Sequence, residues 1–478
     1  MSFSAPRFAR VDAGGSGCLV WPVPVPPLAR GADAATRRSA LPATIGIRLE
    51  DKSKWERRVP LTPTDAAGIQ ACFGHRLIVQ PSPIRVFTDR EYREAGVEVS
   101  EAALDADIVI AVKEIPPALY RPGRVYVNFA HVIKGQARNM PLLREYLRQG
   151  CTLVDYECIA DEHNRRLIFF SVHAGYAGAI EALRALGLRL QGRGVATPLA
   201  EIRPPHAYGD LTAAEAHLRG IGERLRAERL PGGLPLTIGV AGYGNVARGV
   251  QTVLSWLPVA RVAPADLPAA ANAPSAEPLL ACVFKEQDMV RTRDGRPFEL
   301  HDYYDRPEGY QGCFAEHLPH LDLLVNTIFW TERYPRLLTA AWAAAQFSDG
   351  REPRLQVVGD ISIDIEGSIE ISVKATQPDA PCYVVDPVAG EVRDGVDGRG
   401  IAVMAVDNLP CELPREASEH FSTVLKDMVG DLGNCDWSAE FVDLDLPPHL
   451  KRAVIVHRGE LAPRYAHLAG YLDRGGCA

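Results

Sequence analysis

The stretch LPLTIGVAGYGNVARGVQTVL constrains this chain more than any other. A continuous apolar run ends at Ala241, opens into Gly242-x-Gly244-x-x-Ala247, and continues as a helical period. A strand that passes through two glycines into a helix is a βα unit of a parallel, doubly wound sheet. The first glycine permits the tight turn, the second lets a pyrophosphate approach the backbone, and the small third residue lets the helix sit close to the strand. The helix N-terminus then faces negative charge. Gly242, Gly244, Asn245 and Val246 are therefore candidate contacts to NADP(H) or NAD(H), although a tight structural turn satisfies the same pattern.

The choice of dinucleotide stays open at this level. A ribose-binding acid is expected about 20 residues past the turn. Asp266 has that spacing but falls in PVARVAPADLPAAANAPSAEP, a Pro/Ala-rich stretch that reads as a surface insertion. The second strand is expected later, ending CVFKEQD. There Lys285 suits a 2′-phosphate, whereas Glu286 suits a free 2′-hydroxyl and repels that phosphate.

From Thr44 onward short apolar runs alternate with helical stretches. TIGIRLE, RLIVQPS, DIVIAVKE, RVYVNFA and CTLVDYE read as strands, and TPTDAAGIQACFG, TDREYREAG and MPLLREYLRQG as helices. Unbroken apolar runs of this kind belong to parallel strands covered on both faces. AGYAGAIEALRALGLRL is a long helix with small residues on one side, placed to join two domains. LLACVFKE, LDLLVNTIF and LQVVGDISI continue the second series. The fold class expected is α/β, two doubly wound Rossmann-like domains with a cleft between them. A substrate and catalytic domain would comprise residues 44–175 plus 405–478, and a dinucleotide-binding domain residues 176–404. Residues 1–43, rich in Pro, Gly and Ala without helix or strand period, read as a flexible extension.

Composition narrows the function. With 52 basic against 60 acidic side chains and a net charge of -8, nucleic acid is an unsuitable partner. No apolar run approaches the roughly 18 residues of a membrane span. The ten cysteines are scattered without a C-x-x-C pair, which points away from a zinc site and toward a reducing cytoplasm. Small molecules are the expected partners.

Two of the strand-like runs stop on ionisable side chains: 108–112 on Lys113 and 125–130 on His131. In a parallel sheet, ligands gather at the carboxyl ends of strands. Each end alone is explained by strands terminating at polar residues. Two of them, followed by Lys134, suggest a site, since a lysine beside other cations and partly desolvated gives up its proton more readily.

These residues also carry a family resemblance. KSKWERRVPLTP, DIVIAVKE, NFAHVIKGQ, RLIFFSVHAGYAGAIEALRALGLRL, GDISIDIEGSIEI and VDNLPCELPREASEHF strongly resemble lysine–2-oxoglutarate reductase, the lysine-forming saccharopine dehydrogenase. A more distant likeness extends to alanine dehydrogenase and the transhydrogenase subunit. The resemblance implies an enzyme that condenses the lysine ε-amine with 2-oxoglutarate and reduces the imine to saccharopine with a reduced nicotinamide, or the reverse. It implies that Lys113 and His131 are an acid–base pair tuned by Glu114 and Lys134, and that Arg58 holds a substrate carboxylate. It places Glu157 near the amine substrate, and Asp364 and Asn408 near the nicotinamide.

Two departures leave room for other readings. Where the family has Phe-Gly-Arg-Phe/Trp-Ala-Gly this chain has FSVHAG, with His173, and its HAYGD segment lacks an arginine after Tyr208. Coupling of another amino acid with another keto acid, or a non-catalytic nucleotide sensor, fits those changes.

Overall fold

The computed structural model describes residues 42–228, 233–347 and 352–473, so the expected extension lies, through residue 41, outside the described residues. The chain divides into two compact units. One comprises the described residues up to Lys52, Val59–Phe169 and the chain from Phe421; the other comprises Ser53–Arg58 and Phe170–His420.

The first unit is built on β1 (Thr44–Ile47), β2 (Arg76–Val79), β3 (Glu98–Val99), β4 (Ile108–Ile110), β5 (Val125–Asn128) and β6 (Thr152–Asp155). They lie in the order β6-β5-β4-β1-β2-β3, all parallel. β4 and β5 are buried along their whole length, which is why they read as unbroken apolar runs. Helix α1 (Pro63–Phe73) starts where Thr62 accepts the amide of Asp65, and stops at Gly74, whose φ of 74° lies in the left-handed region. Helices α2 (Asp89–Glu94) and α3 (Met140–Arg148) complete the early series. Beyond β6 the sheet gains Val454–His457 and Glu460–Leu461, which pair antiparallel. The parallel pattern expected for this sheet is thus corrected at its edge.

The second unit opens with α4 (Ser171–Gly192), the helix expected to join two domains; it lies wholly within this unit. Helix α5 (Leu211–Ala227) leads to β7 (Leu236–Ala241), the glycine turn and α6 (Asn245–Leu254). The small residues of α4 have a packing purpose. A methyl added to Gly175 would stand 2.1 Å from the Val246 carbonyl oxygen, and one on Gly249 would stand 2.3 Å from that of Val172. The two helices therefore touch backbone to backbone.

The stretch 258–278 is not a bare insertion. It forms the short edge strand β8 (Val259–Arg261) and a one-turn helix, α7 (Leu267–Ala270), anchored by buried Leu267 and Ala271. An edge strand pairs on one side only and needs no continuous apolar run, so its residues look like loop. The next strand, β9 (Leu279–Phe284), inserts between β8 and β7. After the β10–β11 hairpin (Val290–Thr292, Tyr310–Gly312) come β12 (Leu323–Asn326), β13 (Val357–Asp360), β14 (Cys382–Asp386), β15 (Glu391–Asp394) and β16 (Ile401–Met404). The sheet order is β15-β14-β16-β13-β12-β7-β9-β8, parallel except where β14 meets β16 and β15. Among the described residues no helix is long and apolar enough to cross a membrane, and no cluster of His, Cys, Asp and Glu could hold a metal ion.

Candidate active site

In the first unit β6, β5, β4 and β1 are parallel neighbours, so their carboxyl ends share one rim. Lys113 and His131 stand on that rim at the ends of adjacent strands. The Lys113 backbone is fixed from the next strand along. Glu50, beyond β1 and buried, accepts the amide of Val112 at 2.6 Å on one oxygen and that of Lys113 at 3.1 Å on the other. Two charge-assisted bonds to consecutive amides set the direction in which the lysine leaves the strand.

His131 is held harder still. Its φ of 52° puts a non-glycine residue in the left-handed region, at a cost of the order of 1–2 kcal/mol. Asn139 offsets it by donating to the His131 carbonyl at 2.7 Å. The ring lies nearly parallel to Phe129, 5.9 Å between centroids. Nδ1 is 3.6 Å from Glu157, and Nε2 is 4.0 Å from Glu114. One imidazole thus sits between two carboxylates. The hydrogen bond from His131, with the Arg166 guanidinium 2.7 Å away, holds the Glu157 carboxyl down at about 2 against the effect of burial. Burial also pushes Glu114 upward, but its hydrogen bond from Lys52, 2.9 Å away, wins and keeps it below its ordinary value. Both carboxylates are ionised at neutral pH.

Beneath them lies Asp155, fully buried at the end of β6. Its two oxygens accept the amides of Ala130 (3.2 Å) and Glu157 (2.8 Å), the residues that carry the His131 and Glu157 side chains into place. Burial, aided by the Glu157 charge and opposed by the two amides, raises its carboxyl to about 7. Lys134 stands exposed in the turn after His131.

The second unit gathers the remaining predicted residues. Arg58 is buried, and its two-point contact is made with Glu56, at 2.7 and 2.6 Å. Asn408 closes the cluster, accepting from Arg58 at 3.1 Å and donating to Glu56 at 2.8 Å. The Phe170 ring covers the guanidinium at 4.3 Å. His173 is buried nearby against His420 and Tyr176, its Nδ1 without a hydrogen-bond partner. Burial, with His420 and Arg58 close by, lowers its pKa to about 3, so the ring is neutral.

Gly242 has a φ of 105°, and a methyl there would meet the Thr327 hydroxyl at 2.7 Å. At Gly244, by contrast, a methyl would point into open space, leaving room for a ligand against the first turn of α6, which Asn245 and Val246 begin. Around the same strand ends stand apolar side chains in solvent: Tyr243, Ile365, and Phe329 at 84% exposure. Exposed Asp364 lies in a loop past β13 where Ile363 and Glu366 both have positive φ. Lys285 and Glu286 follow β9 directly. Aromatic and aliphatic faces left bare around a glycine turn fit a planar, partly apolar cofactor.

Sequence reasoning missed Glu50, Lys52, Glu56 and Asp155. The first three fall in a run dense in charge, RLEDKSKWERR, which resembles a solvated face. Asp155 carried the same signal as Lys113, an ionisable residue closing an apolar run.

The alanine dehydrogenase/PNT N-terminal domain profile matches residues 46–177, and the alanine dehydrogenase/PNT C-terminal domain profile matches residues 308–464. The chain belongs to the alanine dehydrogenase/PNT family. Within it, the chain is similar to the alpha-aminoadipic semialdehyde synthase of Arabidopsis thaliana, 37% identical over 445 residues, covering 89% of this chain and 41% of that protein. The mitochondrial alpha-aminoadipic semialdehyde synthase of Bos taurus is 32% identical, covering 89% and 47%. The chain thus spans less than half the length of these two relatives. The NAD(+), L-lysine-forming saccharopine dehydrogenase of Neurospora crassa is 29% identical over 390 residues, covering 80% of this chain and 89% of that one. Among solved structures, an L-alanine dehydrogenase shares the family fold, with a TM-score of 0.59 at 18% identity over 90% of this chain and 99% of that one.

Proposed function

We propose that this chain is an oxidoreductase that condenses L-lysine with 2-oxoglutarate and reduces the product to saccharopine, or runs the reverse reaction. The observation that carries this reading is the charged rim of the first unit, where Lys113, Glu114, His131 and Glu157 close three strand ends in a family whose members include lysine-forming saccharopine dehydrogenases. A nicotinamide dinucleotide, NAD(H) or NADP(H), supplies hydride when bound. Gly242, Gly244, Asn245, Val246, Lys285 and Glu286 would hold it, with Asp364 and Asn408 at its nicotinamide end.

The chemistry needs proton handling at three points. The ε-amine must lose a proton before its nitrogen attacks the keto carbon. The carbinolamine oxygen must gain one to leave as water. The imine nitrogen then carries the proton that the product amine keeps. His131, between two ionised carboxylates, and Lys113, anchored by Glu50, are the pair assigned to these transfers. Glu157 lies where it can attract the cationic amine. Arg58 is assigned to a substrate carboxylate, its guanidinium already oriented by the Glu56 carboxylate. The reducing compartment suggested by the cysteines is proposed to be the cytoplasm.

Absorbance of the reduced dinucleotide tests this directly. It should fall only when lysine and 2-oxoglutarate are both present. Equal consumption with either substrate omitted, or none with both, would overturn the reading.

A further inference from the structure

Past β13 the second unit makes a loop, residues 361–367, whose tip carries exposed Asp364 and whose backbone is strained. Ile363 has a φ of 54° and Glu366 one of 53°. For a β-branched residue the left-handed region is a true outlier, because its Cβ crowds the neighbouring carbonyl oxygen. Such a conformation persists only where its surroundings over-determine it.

The group that holds it is Asp360, buried at the end of β13. Its Oδ1 accepts the Ile363 amide at 3.2 Å and the Asn326 side-chain amide at 2.9 Å. Asn326 closes β12 directly opposite Asp360 in the sheet and is fully buried. Its Nδ2 also donates to the Ser368 hydroxyl at 2.9 Å, on the returning side of the loop. Two adjacent strand ends thus grip the loop at both of its ends. Further bonds tie the loop itself. The Ser362 hydroxyl donates to the Ile328 carbonyl at 2.6 Å, and the Gly367 amide to the Asp364 carbonyl at 2.8 Å. Arg336 donates to the carbonyls of Gly367 and Glu366, each at 3.0 Å. Beside Asn326, the Thr327 hydroxyl donates at 2.5 Å to the carbonyl of Ala241, where the glycine turn opens. Burying an acid and an amide to hold a strained loop sacrifices stability that a relaxed turn would keep. What it secures is the placement of the tip.

We propose that Asp360 is a positioning residue for hydride transfer: with Asn326 it locks Ile363 in the left-handed region and so fixes Asp364 at the nicotinamide end of the bound dinucleotide. The inference rests on the dinucleotide reading of the second unit and adds to it the group that sets Asp364 in place. Asp360 acts only through the loop.

The test uses the full chain and three readouts. Hydrogen–deuterium exchange over residues 361–367, without ligand, should be at least about tenfold faster in Asp360→Ala than in the wild type. Turnover with lysine, 2-oxoglutarate and NADH or NADPH should fall by about 10–100-fold, the usual cost of a displaced active-site group. Affinity for the reduced dinucleotide, read by its fluorescence, should stay within about threefold, because the glycine turn is untouched.

Two rescues separate positioning from general destabilisation. Asp360→Asn keeps an Oδ1 acceptor and should retain turnover within about fivefold of the wild type. Glycine adopts the left-handed region unaided, so adding Ile363→Gly to Asp360→Ala should raise its turnover by at least about fivefold. If Asp360→Ala melts below the assay temperature, Asp360→Ser, with a hydroxyl on a shorter stem, takes its place in every comparison. Wild-type exchange or undiminished turnover in the alanine variant would overturn the inference while leaving the dinucleotide reading intact. So would a parallel loss of dinucleotide affinity, or a turnover loss that neither rescue relieves. A wild type that binds neither dinucleotide, or does not turn over, would overturn both.

Discussion

At the ends of β4, β5 and β6 the first unit sets an imidazole between two carboxylates, at 3.6 and 4.0 Å, over a buried acid. At the ends of β7, β12 and β13 the second unit offers a glycine turn, a helix start and bare apolar side chains. Both rims belong to parallel sheets of eight strands with antiparallel edges, yet they are made of different materials. Ionisable groups packed closely enough to shift one another's protonation suit proton transfer. Backbone amides and exposed rings suit recognition of a large, flat, charged ligand. In the proposed reading one sheet architecture supports two tasks because the strand ends, and not the strands, carry the chemistry.

Substitutions at the two rims should therefore fail in different ways. His131→Asn should have the largest effect. Asparagine accepts the left-handed backbone but has no titratable ring, so turnover should fall by about 10²–10⁴ with little change in melting temperature. A comparable loss of stability would mean that the imidazole is structural. Arg58→Ala in the second unit should instead be a folding lesion. It leaves the Glu56 carboxylate buried without its guanidinium, a change costing about 3–5 kcal/mol in denaturant titration. Gly242→Ala should cost about 1–3 kcal/mol for strain at φ 105° and weaken dinucleotide binding. If it weakens neither, the turn is not the cofactor cradle.

The smallest expected effect is on the pH dependence of melting. Glu157 is held at about 2, so its contribution is present above its ordinary value of 4.5 and lost as the pH falls toward 2. Asp155 works the other way. Its carboxyl is raised to about 7, so its contribution is complete below its ordinary value of 3.8 and is lost as the pH rises through 7. Glu157→Gln should flatten the melting curve on the acid side, and Asp155→Asn between about pH 4 and 7. Unchanged slopes would remove both groups from the account.

Much of this was legible in the sequence because continuous apolar runs, caps and glycines report local structure. Thr62 and Gly74 bound α1 as their types require, and the Gly242–Gly244 turn lies between strand and helix. Lys113 and His131 could be singled out because each ends a run buried on both faces. What escaped was long-range or paired on one side only. The edge strand β8 lacks the buried pattern that marks a central parallel strand, the buried strand Val454–His457 pairs antiparallel with β6, far away in sequence, and Glu50 acts on residues 62 and 63 positions away. The engagement of Arg58 by Glu56 was likewise hidden, because two charges near each other in sequence look the same whether solvated or buried.

The most direct test of this division of labour is Lys113→Met, read in two assays on the same preparation. Turnover with lysine, 2-oxoglutarate and reduced dinucleotide should fall by about 10²–10⁴, while the dinucleotide binds with unchanged affinity. Undiminished turnover would contradict the assignment of proton transfer to the rim of the first unit.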